Sequence, residues 1–167
     1  MGYFEHYKIK IIFYQKESDM KSKLLIASTF GLFLSANAFA NDIAGKWLQI
    51  DDKTGTSKAV IEIRKDAKDT YTAQIVKITP RPGYTPQEKC KDCPAPYTNQ
   101  PILGMDVLKG LKLVSENNYD GGKIIDPLTG KIYSAKARLN STGKRLTLRG
   151  YMGISAIGRS QTWIRQD

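Results

Sequence analysis

Gly45-Lys46-Trp47 and Gln161-Thr162-Trp163-Ile164-Arg165, lying toward opposite ends of the chain, are the stretches whose reading decides the fold. When a β-sheet closes into a barrel its first and last strands become neighbours, so an indole on one can stack on a guanidinium of the other. Trp47 and Arg165 are expected to be that closing pair.

Between them the apolar period is two almost throughout. Ala59, Ile61 and Ile63 alternate with Lys58, Glu62 and Arg64, and Tyr133, Ala135, Ala137 and Leu139 alternate with Ser134, Lys136 and Arg138. Tyr71 to Ile75 and Leu146 to Leu148 repeat the pattern, which marks strands with one wet and one buried face. Three turns share one chemistry: Asp51 to Gly55, Asp126 to Gly130 and Asn140 to Gly143 each open on a side chain that caps a turn and close on glycine. That suits a type I turn followed by a left-handed residue in a short hairpin. Runs near 44–50, 56–65, 70–78, 104–114, 122–126, 131–139, 145–152 and 160–166 give about eight strands, with Leu103 to Val114 ambiguous enough to hold a short helix. The fold expected is all-β, a small closed antiparallel barrel of about eight strands, with an open sandwich as the alternative.

One stretch breaks the rhythm. Thr79 to Ile102 holds six of the seven prolines, a density that excludes a central strand or a helix interior. A connection this long needs a task or a pin. Cys90-Lys91-Asp92-Cys93 is read as the pin, a local disulfide formed in an oxidising compartment. A zinc site would need a second pair or histidines, and haem attachment would need His where Pro94 stands. A thioredoxin-like centre would need a βαβ setting that nothing nearby suggests.

The first forty residues are read as processing signals. Met20-Lys21-Ser22-Lys23 is a basic start, Leu24 to Ala36 is mostly apolar, and Ala38-Phe39-Ala40 is a cleavage site that would leave Asn41 first. Residues 1–19 precede a complete signal peptide at 20–40 and read as an upstream start, which leaves 41–167 as one domain. The expected protein is periplasmic or secreted, without a membrane span in its mature form.

Residues 41–167 carry 21 Lys and Arg against 13 Asp and Glu, a net charge of +8 that favours anionic envelope partners. No basic run interleaved with aromatics suggests nucleic acid. The single histidine, His6, lies in the leader, so the domain has no imidazole for a nucleophile's base or a zinc site. No cofactor motif or metal set is expected, and the reading leans away from an enzyme because no spacing singles out a catalytic pair.

Together, Gly45-Lys46-Trp47, the Cys90/Cys93 loop, Pro101-Ile102-Leu103-Gly104, Tyr119 to Pro127, Thr129 to Tyr133, Arg149 to Gly153 and Gly158 to Trp163 resemble domain-of-unknown-function family 2147 (DUF2147), a group of exported bacterial proteins. The resemblance implies a barrel related to the lipocalin and calycin group, with Trp47 packed against Arg165. It brings no catalytic residues with it.

Four polar residues gather near the end of the chain. Pairing of the last two strands would bring together Arg149, Tyr151, Arg159 and Gln161. The two arginines can then grip a carboxylate or phosphate by forked hydrogen bonds, with Tyr151 and Tyr133 as a flat wall. The alternative is that each arginine covers a barrel end or pairs with Asp106, Asp120 or Asp126. Ala59, Ala73, Ala135, Ala137 and Gly150 face inward, leaving either room for a ligand or walls pinched together. The leading expectation is a non-enzymatic binding protein for a small, partly apolar or anionic envelope molecule of lipid or acyl-chain type. A module docking through its basic surface or Pro-rich loop is the second reading.

Overall fold

The alternation read from the sequence becomes eight strands in the computed structural model, which describes residues 42–51, 54–80, 82–83 and 85–166. The leader at 20–40 and the Ala40–Asn41 cleavage site lie outside the described residues. The strands are β1 (Gly45–Ile50), β2 (Ser57–Lys65), β3 (Thr70–Ile78), β4 (Asp106–Ser115), β5 (Asn118–Ile125), β6 (Ile132–Leu139), β7 (Arg145–Tyr151) and β8 (Gly158–Arg165). Each pairs antiparallel with the next, and β8 returns to pair with β1, so the sheet is a closed barrel rather than a sandwich. Trp47 and Arg165 are direct partners across that seam.

Turn chemistry sets the hairpins as expected. Gly55, Gly130 and Gly143 have φ of 68°, 68° and 70°. Asp51, Asp126 and Asn140 accept backbone N–H groups of their own turns through Oδ1.

One ambiguity is resolved and one boundary is corrected. Leu103 to Val114 holds no helix; it gives most of β4, and Val107, Leu108 and Leu111 are buried. The helical spacing of those three comes from irregular pairing with β3 and from Gly110 at φ 76°, which let two consecutive side chains reach the core. The fifth strand starts at Asn118 rather than near 122. Gly121, at φ 79°, sits beside Gly110 across the β4–β5 pair, and the β5–β6 register shifts between Tyr119 and Gly122.

One end of the barrel is sealed. Trp47 is fully buried and donates its indole N–H to Ile43 O at 2.8 Å, which draws the N-terminal segment over the opening. The Arg165 guanidinium lies 4.3 Å from the Trp47 ring centre and donates to Gly143 O, Ala44 O and Asp42 O. One cation thus ties the β6–β7 turn, both closing strands and the N-terminal segment together. Tyr71 and Tyr119 meet edge to face at 5.3 Å in the same layer. Burial first, then the Asp42 carboxylate, pushes the Tyr71 phenol up to about 12, and Tyr119 rises with burial as its leading cause.

The long β3–β4 connection is folded onto itself. The Cys90–Cys93 disulfide is present, Cys90 N–H donates to Gln100 O, and Ile102 N–H donates to Glu88 O. Both cysteines are buried in the main core with Ile102 and Met105. Gly130 lets this loop seat against the β5–β6 turn, because a Cβ there would stand 1.9 Å from Asp92 O.

Candidate functional site

In an up-and-down barrel, alternate connections share an end. The β1–β2, β3–β4, β5–β6 and β7–β8 connections all lie opposite the sealed end, and there the barrel opens into a cavity of about 710 Å³. That volume is in the range of small-molecule sites.

Both readings of the small residues hold, at different depths. Ala59 and Gly150 line the cavity, whereas Ala73, Ala135 and Ala137 are buried outside its lining. At Gly122 the walls are pinched: a Cβ there would meet Leu111 at 3.0 Å and Leu108 at 3.3 Å. A Cβ on Gly150 meets Ile124 and Tyr133 at an ordinary 3.6 Å.

The cavity wall is mainly apolar, with Ile61, Ile75, Val107, Ile125, Leu148 and Trp163 prominent. Trp163 is 1% exposed, and its indole N–H has no hydrogen-bond partner among the described residues. A buried N–H left without an acceptor costs about 1–3 kcal/mol. Polar groups collect toward the mouth. Gln49 Nε2 donates to Gln161 Oε1 at 2.9 Å, Lys58 pairs with Asp51 at 2.8 Å, and Arg159 lines the wall beside them.

Of the residues singled out in the sequence, Tyr133, Tyr151, Arg159 and Gln161 all line this cavity. Arg149 does not. It donates from Nε to Ser155 O at 2.7 Å, from Nη2 to Ala156 O at 2.9 Å and from Nη1 to Ser160 Oγ at 3.1 Å, so it holds the β7–β8 loop from outside. Strand parity contains that outcome. Leu146 and Leu148 are buried, which turns Arg149 outward, while Gln161, Trp163 and Arg165 turn Arg159 inward. Sequence reasoning missed Gln49, Lys58 and the floor position of Trp163; the strand pairs Leu148↔Gln161 and Leu146↔Trp163 are what bring the floor together.

Asp106 takes Arg64 at 3.0 Å rather than Arg149 or Arg159. Among the described residues, no three His, Cys, Asp or Glu side chains converge as a metal site needs. No helix among them is long and apolar enough to cross a membrane. The displaced phenols of Tyr71 and Tyr119 belong to the sealed end and not to the cavity wall.

Among solved structures, the chain is similar to protein HP1028 from the human pathogen Helicobacter pylori, which is described as belonging to the lipocalin family. The two share 23% identity with a TM-score of 0.63, over 75% of this chain and 84% of that one. At that identity the likeness establishes the fold alone: a lipocalin-like barrel. A search of curated proteins finds no significant match. The profile of DUF2147, uncharacterized protein conserved in bacteria, matches residues 45–165, from the first strand to the closing arginine. The chain therefore belongs to the DUF2147 family.

Proposed function

We propose that the protein is an exported, non-enzymatic binder of a small amphiphile of lipid or acyl-chain type, held with its apolar part on Trp163 and its anionic group near Arg159. The observation that carries this reading is the cavity of about 710 Å³: apolar at its floor, with Gln49, Gln161, Lys58 and Arg159 nearer its mouth, and closed at the far end by Trp47 and Arg165. Cargo of this kind gains from burial about 0.8 kcal/mol per methylene, so a chain of modest length suffices for tight binding. Export is supported by the leader-like sequence at 20–40 and by a disulfide suited to an oxidising compartment.

A fluorescent fatty acid titrated into the purified protein tests this. Uptake should quench Trp163 emission, and Gly150→Phe should weaken uptake at least tenfold, since a ring built there enters the cavity without backbone strain. Arg159→Gln should weaken the fatty acid more than the corresponding alcohol. Equal uptake by the wild type and Gly150→Phe would sink the proposal. The rival reading, an envelope module docking through its basic face or Pro-rich loop, predicts binding that is indifferent to Gly150→Phe and sensitive to surface charge.

A further inference from the structure

Exposed apolar side chains are unevenly distributed over this barrel. Among the described residues, six of the eight large hydrophobics left exposed stand at the cavity end: Leu103, Leu128, Ile132, Met152, Ile154 and Ile157. Three of them crowd the short β7–β8 loop, where Met152 and Ile154 are 64% exposed and Ile157 is 70% exposed. Scattered singles on a surface need no explanation, whereas a cluster of this kind marks an interaction face.

The loop is held in this pose rather than left to fold inward. Arg149 occupies the carbonyls of Ser155 and Ala156, Lys136 Nζ donates to Ser155 Oγ at 3.1 Å, and Ile157 N–H donates to Ile154 O at 3.1 Å. With these carbonyls held from behind, the loop leaves Ile154 to solvent and sets Met152 and Ile157 on the rim of the cavity, still largely exposed. On the flank of the opening built from the outer ends of β6, β7 and β8, the charge is positive. Lys131 and Arg159 are exposed there and Lys136 reaches the loop, with no Asp or Glu on that flank, while Glu88 and Asp92 belong to the connection across the mouth. The nearest acid preceding Lys131, Asp126, is bonded to Leu128 N–H within its own turn.

We propose that this end is a lip that docks on the surface of an anionic lipid bilayer, inserting Met152, Ile154, Ile157 and Leu128 among the headgroups with the cavity mouth facing the membrane. Apolar side chains flanked by cations are the composition of interfacial anchors, and each added cation strengthens attraction to an anionic leaflet. The inference goes beyond the cavity's content and does not depend on it.

The test is co-sedimentation of the protein, isolated as its own cell processes it, with vesicles of phosphatidylcholine alone or mixed with phosphatidylglycerol. Binding should favour the mixed vesicles and fall with added salt. Ile132→Ser with Ile154→Ser touches no residue of the cavity wall. That double variant should lower binding about tenfold or more, through lost apolar burial, while fatty-acid uptake and thermal midpoint stay unchanged. Lys131→Glu should lower binding to mixed vesicles about fivefold and leave phosphatidylcholine unaffected. No sedimentation with either vesicle, undiminished binding by the double variant, or retention only by a protein component of the envelope would overturn the proposal. Loss of fatty-acid uptake by Gly150→Phe with vesicle binding intact would separate the two readings.

Discussion

Arg165 shows how much one side chain carries. Its three donors satisfy carbonyls on the β6–β7 turn and the N-terminal segment, and its plane covers Trp47. Replacing it by Met should cost about 2–4 kcal/mol in urea unfolding, because buried carbonyls lose partners along with the cation–π contact. Lys should recover less than half of that, since an ammonium cannot match a planar fork. Gly45 belongs to the same unit: its φ is 122° and a Cβ would sit 3.1 Å from Arg165 Nη1. Tyr71 supplies a pH signature. Its phenol titrates near 10 when unfolded and about 12 when folded. The unfolded chain therefore loses this proton first, and stability that is complete below pH 10 should fall as pH rises toward 12. Tyr71→Phe should flatten that fall in thermal melts, and an unchanged profile would show that the phenol is not its source. The closing pair was legible in the sequence because ring closure forces the chain's two ends together. The outward turn of Arg149 was legible too, but only by following parity from Leu146 rather than by grouping polar residues that lie close in sequence.

Among the elements, the hairpins followed from their turn residues, while the irregular strands did not. An Asp or Asn to Gly spacing specifies a local geometry, so Gly55, Gly130 and Gly143 adopt it wherever they occur. The β4–β5 pair depends instead on Gly110 meeting Gly121 across strands, a long-range coincidence that periodicity cannot register and that leaves the sequence of β4 ambiguous between strand and short helix. The Pro-rich connection reads as irregular from its composition, yet its seat on the β5–β6 turn depends on one missing Cβ. Gly130→Ala should place a methyl against Asp92 O and add about 1–2 kcal/mol of left-handed strain. Limited proteolysis of residues 86–101 should then quicken while far-UV dichroism keeps its β character. On the opposite flank, Arg149→Gln should speed amide exchange at Ser155 to Ile157 and leave exchange in β1 to β3 unaltered. Uniform acceleration would mean that the arginine holds the whole sheet rather than one loop.

For the whole molecule, the division of labour between the barrel's two ends matters most. Tyr71, Tyr119, Trp47 and Ile43 fill one end, and Ala59 with Gly150 leaves the other hollow. The sequence supplied the small residues without their depth, because inward and outward faces are local properties whereas depth requires the register of all eight strands. The cavity, the apolar lip and the exposed cations Lys131 and Arg159 share the open end, which fits a protein that meets its cargo at a surface rather than in bulk water. Native mass spectrometry of the protein drawn gently from its own envelope, alongside Gly150→Phe prepared identically, bears directly on that picture. A released anionic amphiphile accompanying the wild type and missing from the variant is the expected result. The same bare polypeptide mass from both, or one adduct retained equally by both, would contradict it.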